Sequence, residues 1–134
     1  MRWSEFCFRG HPTITAKHKT TLEITKDSSV TAKGDCIVGV SADFDSAKLR
    51  GLTGKHVLEI RSGQQSAAVV FEANPHFNDA HEIVIRRSTF LSPRTLGTMA
   101  DKAACDLPLR FNDPSETFDV VIRPHEKAAE QVRD

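Results

Sequence analysis

The sequence predicts a mostly β fold: an antiparallel sandwich or barrel of seven or more strands, with one long helix packed on it. Three observations carry that expectation. Apolar and polar residues alternate with period two in about seven separate runs, the pattern of half-buried strands. Clusters of Gly, Pro, Asn, Asp and Ser punctuate those runs at hairpin spacing. One stretch alone, 93–107, repeats its apolar residues at helical spacing.

Taken in order, Trp3 to Phe8 alternates with Phe6 and Phe8 on one face, and Gly10-His11-Pro12 ends it, since Pro12 has no donor and holds His11 extended. Thr13 to Thr25 is the longest alternating run. Ile14, Ala16, His18, Thr20, Leu22 and Ile24 share one face; Thr13, Thr15, Lys17, Lys19, Thr21 and Glu23 share the other, expected to be wet. After a turn at Lys26-Asp27-Ser28-Ser29, Asp35 to Ala42 reads as a strand whose Gly39 marks a bulge or a close approach of backbone. Asp43 to Leu52 holds a short helical turn, ended by Gly54. Lys55 to Arg61 and Ser66 to Ala73 flank Ser-Gly-Gln-Gln and form a hairpin. His81 to Ser88 is a strand with Ile83 and Ile85 together on one face. The helix follows, with Ser92 as N-cap, Pro93 at its first position, a stripe of Leu96, Met99, Ala100, Ala103, Ala104 and Leu107, and Pro108 as stop. Thr117 to Arg123 is the last strand, with Phe118, Val120 and Ile122 inward.

The domain organisation expected is one β-rich domain over 1–125 and a charged tail over 126–134. A chain of 134 residues suffices for one core and not for two. The 39% hydrophobic and 27% charged content is that of a globular chain. Zero net charge excludes a bulk pull toward polyanions, so a nucleic acid would have to be met by a local patch. No apolar run has membrane-spanning length and no signal peptide is visible, so a cytoplasmic protein is expected, with no membrane partner. Cys7, Cys36 and Cys105 lack metal or redox spacing and read as reduced thiols. Tyrosine is absent and Trp3 is the lone tryptophan, which leaves few platforms for stacking bases.

Gly10-His11-Pro12-Thr13-Ile14-Thr15-Ala16, the run Gly34-Asp35-Cys36-Ile37-Val38-Gly39-Val40-Ser41-Ala42-Asp43, Ile85-Arg86-Arg87-Ser88 and Ala100-Asp101-Lys102-Ala103-Ala104 resemble an archaeal family catalogued as domain of unknown function 371. The likeness runs over nearly the whole chain, and the second block is its most specific part. The resemblance implies a compact, jelly-roll-like β domain and a nuclease label, with no catalytic residues to carry over.

The richest stretch chemically is Arg86 to Thr95, where Arg86, Arg87 and Arg94 stand among Ser88, Ser92 and Thr95. Guanidinium forks match phosphate oxygens, and free N–H groups at a helix start would add to them. Alternation sends Arg86 and Arg87 to opposite faces, so one of them at most joins Arg94. The alternative is a capped helix whose neighbouring arginines pair with surface carboxylates. His11 and His18 are the candidates for proton transfer, their pKa lying near neutrality. His18, on the apolar face, reads better as a core histidine bonded to a carbonyl or hydroxyl. His11, held at a strand mouth by the Gly-His-Pro kink, reads equally as a turn residue or a site residue. Asp35 and Asp43 could hold Mg²⁺ or Mn²⁺, but they lie roughly 26 Å apart on an extended strand, so one shared ion demands a sharp bend. The loop from His76 to Glu82 offers two imidazoles and two carboxylates without a fixed third ligand, and no cofactor signature emerges. Lys17 and Lys102 complete the set of candidates.

Two functions follow. One is phosphate-directed binding of nucleic acid or nucleotide, with hydrolysis through an Arg/Ser/His anion site. The other is a non-catalytic module that docks on RNA or protein through the Thr/Lys face of residues 13–21. A small-molecule pocket inside the barrel is a third possibility, by analogy of fold alone.

Overall fold

The computed structural model describes residues 3–31 and 33–125. Its strands are β1 (Ser4–Arg9), β2 (Thr21–Thr25), β3 (Ile37–Gly39), β4 (Lys55–Ser62), β5 (Gln65–Ala73), β6 (Glu82–Arg86), β7 (Thr95–Thr98) and β8 (Thr117–Pro124). They form one eight-stranded sheet in the order β1-β8-β4-β5-β7-β6-β2-β3. An isolated bridge between Arg9 and Val40, with N–O distances of 2.8 and 2.9 Å, ties β1 to the residue after β3. The two outer strands of the sheet therefore meet there.

Alternation of buried and more exposed residues runs along β1 and most of β8 in the regular half of the sheet. Phe6 and Phe8 of β1 and Phe118, Val120 and Ile122 of β8 all turn inward, and the Phe8 and Phe118 rings stack with centroids 4.9 Å apart. β4 and β5 pair over their full length around Gly63-Gln64. Gly63, at φ +60°, takes the first central position of that two-residue turn, where positive φ is required.

The long helix expected over 93–107 is absent. In its place stand β7 and a 3₁₀ turn, Ala104–Asp106. Leu96, Ala100, Ala103, Ala104 and Leu107 are buried as the helical stripe required, but Met99 is 60% exposed. The physical reason lies at Gly97, poorly suited to a helix interior. A Cβ there would sit 2.1 Å from Phe71 Cδ2, so a bare backbone lets the Phe71 ring press against β7. Met99, at φ +53°, then turns the chain out of extended geometry. Ser92 caps no helix; its carbonyl accepts from Thr95 N at 3.0 Å, which closes a turn.

The sheet is mixed, not purely antiparallel: β6–β7 and β2–β3 run parallel. The long strand expected over 13–25 is confined to Thr21–Thr25. Ahead of it, Ala16 adopts φ +50° and both histidines bind backbone N–H groups two residues on, which breaks the extended run. The strand expected over 35–42 shrinks to Ile37–Gly39, with Ser41 at φ +53°. Gly39 does mark a close approach, its partner being the Phe8 ring, 2.0 Å from where a Cβ would stand. The tail 126–134 lies outside the described residues.

Candidate functional site

Because β6 and β7 are parallel, with Val84 opposite Thr95, the chain leaving β6 must come back before β7 begins. Residues 87–94 make that return along the outer face of the sheet. The inner face of β2, β6 and β7 carries Leu22, Ile24, Ile83, Ile85 and Leu96 into the core. The outer face carries Thr21, Glu23 and Thr25 beside Arg86, Val84 and Glu82. The returning loop covers this polar face, and Thr21, Glu23, Thr25 and Thr95 are all buried.

One side of the loop is organised by Arg86. Its Nε donates to Thr95 Oγ1 at 3.1 Å, Ser92 Oγ lies 2.9 Å from the same hydroxyl, and the guanidinium covers the Phe90 ring at 4.9 Å. Arg94, at the other end of the loop, reaches back to the start of β6. Its Nη1 donates to Glu82 Oε1 at 2.8 Å and stands 3.6 Å from Glu23 Oε1. Cys36 Sγ lies 3.6 Å from the same Glu23 oxygen. Glu23 is only 6% exposed, and an ionised carboxylate taken out of water costs several kcal/mol. Burial first, then the hydrogen bond and negative charge of Glu82, push the Glu23 carboxyl up to about 8. Glu23 thus holds a proton at neutrality, and its bond holds Glu82 below the usual carboxylate range, with Arg94 helping. Burial and the neighbouring Glu23 likewise push the Cys36 thiol up to about 11, so it is no nucleophile near neutrality.

The far end of β6 brings two sequence candidates together. Arg87 N donates to Thr20 O at 2.8 Å, so the basic loop and the Lys17–Thr20 segment share an edge. Thr20 N and Thr21 N both donate to His18 Nδ1, at 3.2 and 3.1 Å, which leaves the His18 ring proton on Nε2. Lys17, Lys19 and Arg87 are exposed around it. Arg87 Nη1 is 3.8 Å from Asp106 Oδ2, and both side chains are well exposed, a contact of little energy. His18 is not the core histidine expected; it is half-buried and caps the entry to β2.

The remaining candidates scatter. His11 Nδ1 accepts from Thr13 N at 3.2 Å and lies in a local turn beside Phe111. Thr13 gives its hydroxyl to Val30 O, so no flat Thr/Lys strand face exists over 13–21. Asp43 Oδ1 accepts from Cys7 N at 2.7 Å on β1, while the Asp35 carbonyl accepts from His18 N. Lys102 Nζ is spent on Ala68 O at 2.8 Å. Ser88 holds the loop through Phe90 N at 3.3 Å and Met99 N at 3.0 Å. In the His76–Glu82 loop, His81 Nε2 pairs with Asp27 Oδ1 at 2.6 Å. Among the described residues no group of three His, Cys, Asp or Glu side chains could hold a metal ion. Neither imidazole bonds to an arginine side chain, and the three guanidiniums have different partners. Two concavities lie elsewhere, one of about 390 Å³ lined by Ser62, Gln64, Gln65, Arg110, Glu116 and Phe118, the other of about 360 Å³ between Lys55, Phe71 and Met99.

Sequence reasoning does not bring Glu23, Glu82 and Cys36 together: it places Glu82 in a polar loop and Cys36 as a lone thiol. Glu23 reads as an outward residue of a wet face; Arg94 from the returning loop and Cys36 ahead of β3, both distant in sequence, meet it in the fold.

A family model described as a domain of unknown function (DUF371) matches residues 6–113. The chain belongs to this family. It is also 36% identical, over 109 residues, to an uncharacterized protein of Methanocaldococcus jannaschii, covering 74% of this chain and 80% of that relative. The span matched to DUF371 contains the Glu23–Glu82–Arg94 cluster and the His18–Arg87 edge alike. No helix among the described residues is long and apolar enough to cross a membrane.

Proposed function

We propose that this DUF371 chain is a phosphate-directed binding module that docks nucleic acid along the edge formed by Lys17, His18, Lys19 and Arg87. The hydrogen bond from Arg87 N to Thr20 O carries the reading, because it joins two basic segments distant in sequence. Arg87 is the arginine best placed to exchange partners: its contact with Asp106 is long and exposed, whereas Arg94 is held by Glu82 at 2.8 Å. Ser88 and Thr20 add hydroxyls, and the Nε2–H of His18 adds a donor. With zero net charge, a polyanion has to be met by a local basic patch of this kind. The same reading takes the sheet as a small closed barrel, supported by the Arg9–Val40 bridge, with docking on its outside.

The test is binding of short fluorescent RNA and DNA strands by anisotropy as salt rises. Three phosphates neutralised by Lys17, Lys19 and Arg87 correspond to a log–log salt slope of about −2 on a single strand. The Lys19→Glu, Arg87→Glu double variant should bind at least about tenfold more weakly. A flat salt response, or wild-type binding by that variant, would remove the proposal. Hydrolysis is read in the same tubes with Mg²⁺ or Mn²⁺ added: a strand cut by the wild type and left whole by the Lys19→Glu, Arg87→Glu variant would extend the function to cleavage.

A further inference from the structure

Among the described residues four large hydrophobic side chains are exposed: Trp3 at 51%, Phe90 at 60%, Leu91 at 56% and Met99 at 60%. Two of the four, Phe90 and Leu91, stand side by side in one loop. Phe90 and Leu91 sit in the returning loop, and Met99, with φ +53°, is fastened to that loop through Met99 N to Ser88 O at 3.0 Å. A globular surface spreads its apolar residues singly, so a cluster beside a basic edge calls for a partner that is apolar and anionic at once. Phe90 is already half dressed for one. The Arg86 guanidinium lies 4.9 Å from its ring on one side, and Arg86 is itself steadied by Thr95 Oγ1 at 3.1 Å. The opposite ring face belongs to the exposed part of the residue.

Resting on the docking proposed above, we infer that the occupant of this edge is a single-stranded nucleic acid, one base of which stacks on the free face of Phe90. Arg86, Phe90 and the base then form a three-layer stack, which suits the electron-rich face of the ring. Arg87, next to it in sequence, and Lys17 and Lys19 across the Thr20 hydrogen bond take the flanking phosphates. Leu91, next to Phe90 in the loop, borders the base and shields it from water. A duplex offers phosphates without free base faces and would leave Phe90 unused. One platform reads one base, so sequence preference is weak and binding depends on strandedness.

The experiment compares four probes by anisotropy at fixed salt: a single-stranded oligonucleotide, the same strand made abasic, its duplex, and inorganic polyphosphate. The single strand should bind roughly tenfold tighter than the abasic strand. Phe90→Ala should erase that difference and leave the affinity for the abasic strand unchanged; the exposure of Phe90 makes this variant safe for the fold, and thermal melting verifies it. Equal affinity for base-bearing and abasic strands overturns the inference while the docking edge survives. So does a preference that persists in Phe90→Ala. Should sedimentation reveal a wild-type dimer that Phe90→Ala dissolves, the patch is covered by a second copy and the inference also falls. If no probe binds, inference and docking edge fail together.

Discussion

Glu23 on β2 and Glu82 on β6 lie on the outer face of the sheet, and a single guanidinium nitrogen reaches both. Arg94 Nη1 is 2.8 Å from Glu82 Oε1 and 3.6 Å from Glu23 Oε1. Two carboxylates on one guanidinium nitrogen cannot both ionise cheaply: buried Glu23 is pushed toward its neutral form and Glu82 toward its charged form, which Arg94 balances. The arrangement fastens the end of the 87–94 loop to the strand from which it departs.

Stability should therefore fall with rising pH through the neutral range. The Glu23 carboxyl is pushed up from 4.5 to about 8, so between those values the native state binds more protons than the unfolded chain. Stability then has a negative slope against pH: the contribution of Glu23 is whole below pH 4.5 and lost as pH climbs through about 8. Glu82 moves the other way, and its contribution fades only in acid below the ordinary carboxylate range. The pair titrates as a unit. Urea midpoints should drop between about pH 5 and about pH 9 in the wild type, and Glu23→Gln, which keeps a donor toward Glu82, should flatten the curve. A midpoint in the wild type that holds steady over that range would count against a protonated Glu23.

Arg94 is part of this lock rather than of the docking edge. Arg94→Ala leaves Glu82 without its 2.8 Å partner and Glu23 beside an unbalanced charge. Half-exposed, Arg94 should cost about 1–2 kcal/mol in chemical unfolding when removed. The salt dependence of oligonucleotide binding should keep its slope. A loss of slope equal to that of Arg87→Ala would make Arg94 a phosphate ligand instead.

The residues explain why some of this was legible in the sequence and some was not. β8 alternates and β1 does so weakly, yet local pattern suffices to place Phe6, Phe8, Phe118, Val120 and Ile122 inside. Between 93 and 107 the buried residues admit two readings. Leu96, Ala100, Ala103 and Leu107 lie at helical spacing, yet Thr95-Leu96-Gly97-Thr98 is buried at every position as an inner strand, and the Phe71 ring presses against Gly97 there. Arg86 to Thr95 stood out for its charges, but its partners, Thr95, Asp106, Glu82 and Glu23, depend on a parallel return that no local signal announces.

The contact between Gly97 and Phe71 should behave as a lock and key in a double-mutant cycle. With 2.1 Å between the missing Cβ and Phe71 Cδ2, Gly97→Ala must displace a fully buried ring. Overpacking of this kind costs about 1–3 kcal/mol. Phe71→Leu alone opens a void, about 1 kcal/mol or more. The double variant should recover part of the sum, because the smaller side chain vacates the space that the new methyl needs. Strict additivity of the two losses would show that Gly97 is required for another reason.

His18 should prove a structural residue whose ring still borders the docking edge. Its Nδ1 accepts from Thr20 N and Thr21 N, and Thr20 O in turn accepts from Arg87 N. His18→Ala leaves both donors without a partner, Thr21 N in a half-buried position, and should cost about 1 kcal/mol. His18→Asn supplies a side-chain oxygen that can bind the N–H two residues on, as Asn does in turns, and should restore most of the loss. If the ring serves only as this cap, His18→Asn will also bind oligonucleotides with the wild-type salt slope. A variant that regains stability without regaining affinity would make the Nε2–H a direct phosphate donor, joining His18 to Arg87 in the edge itself.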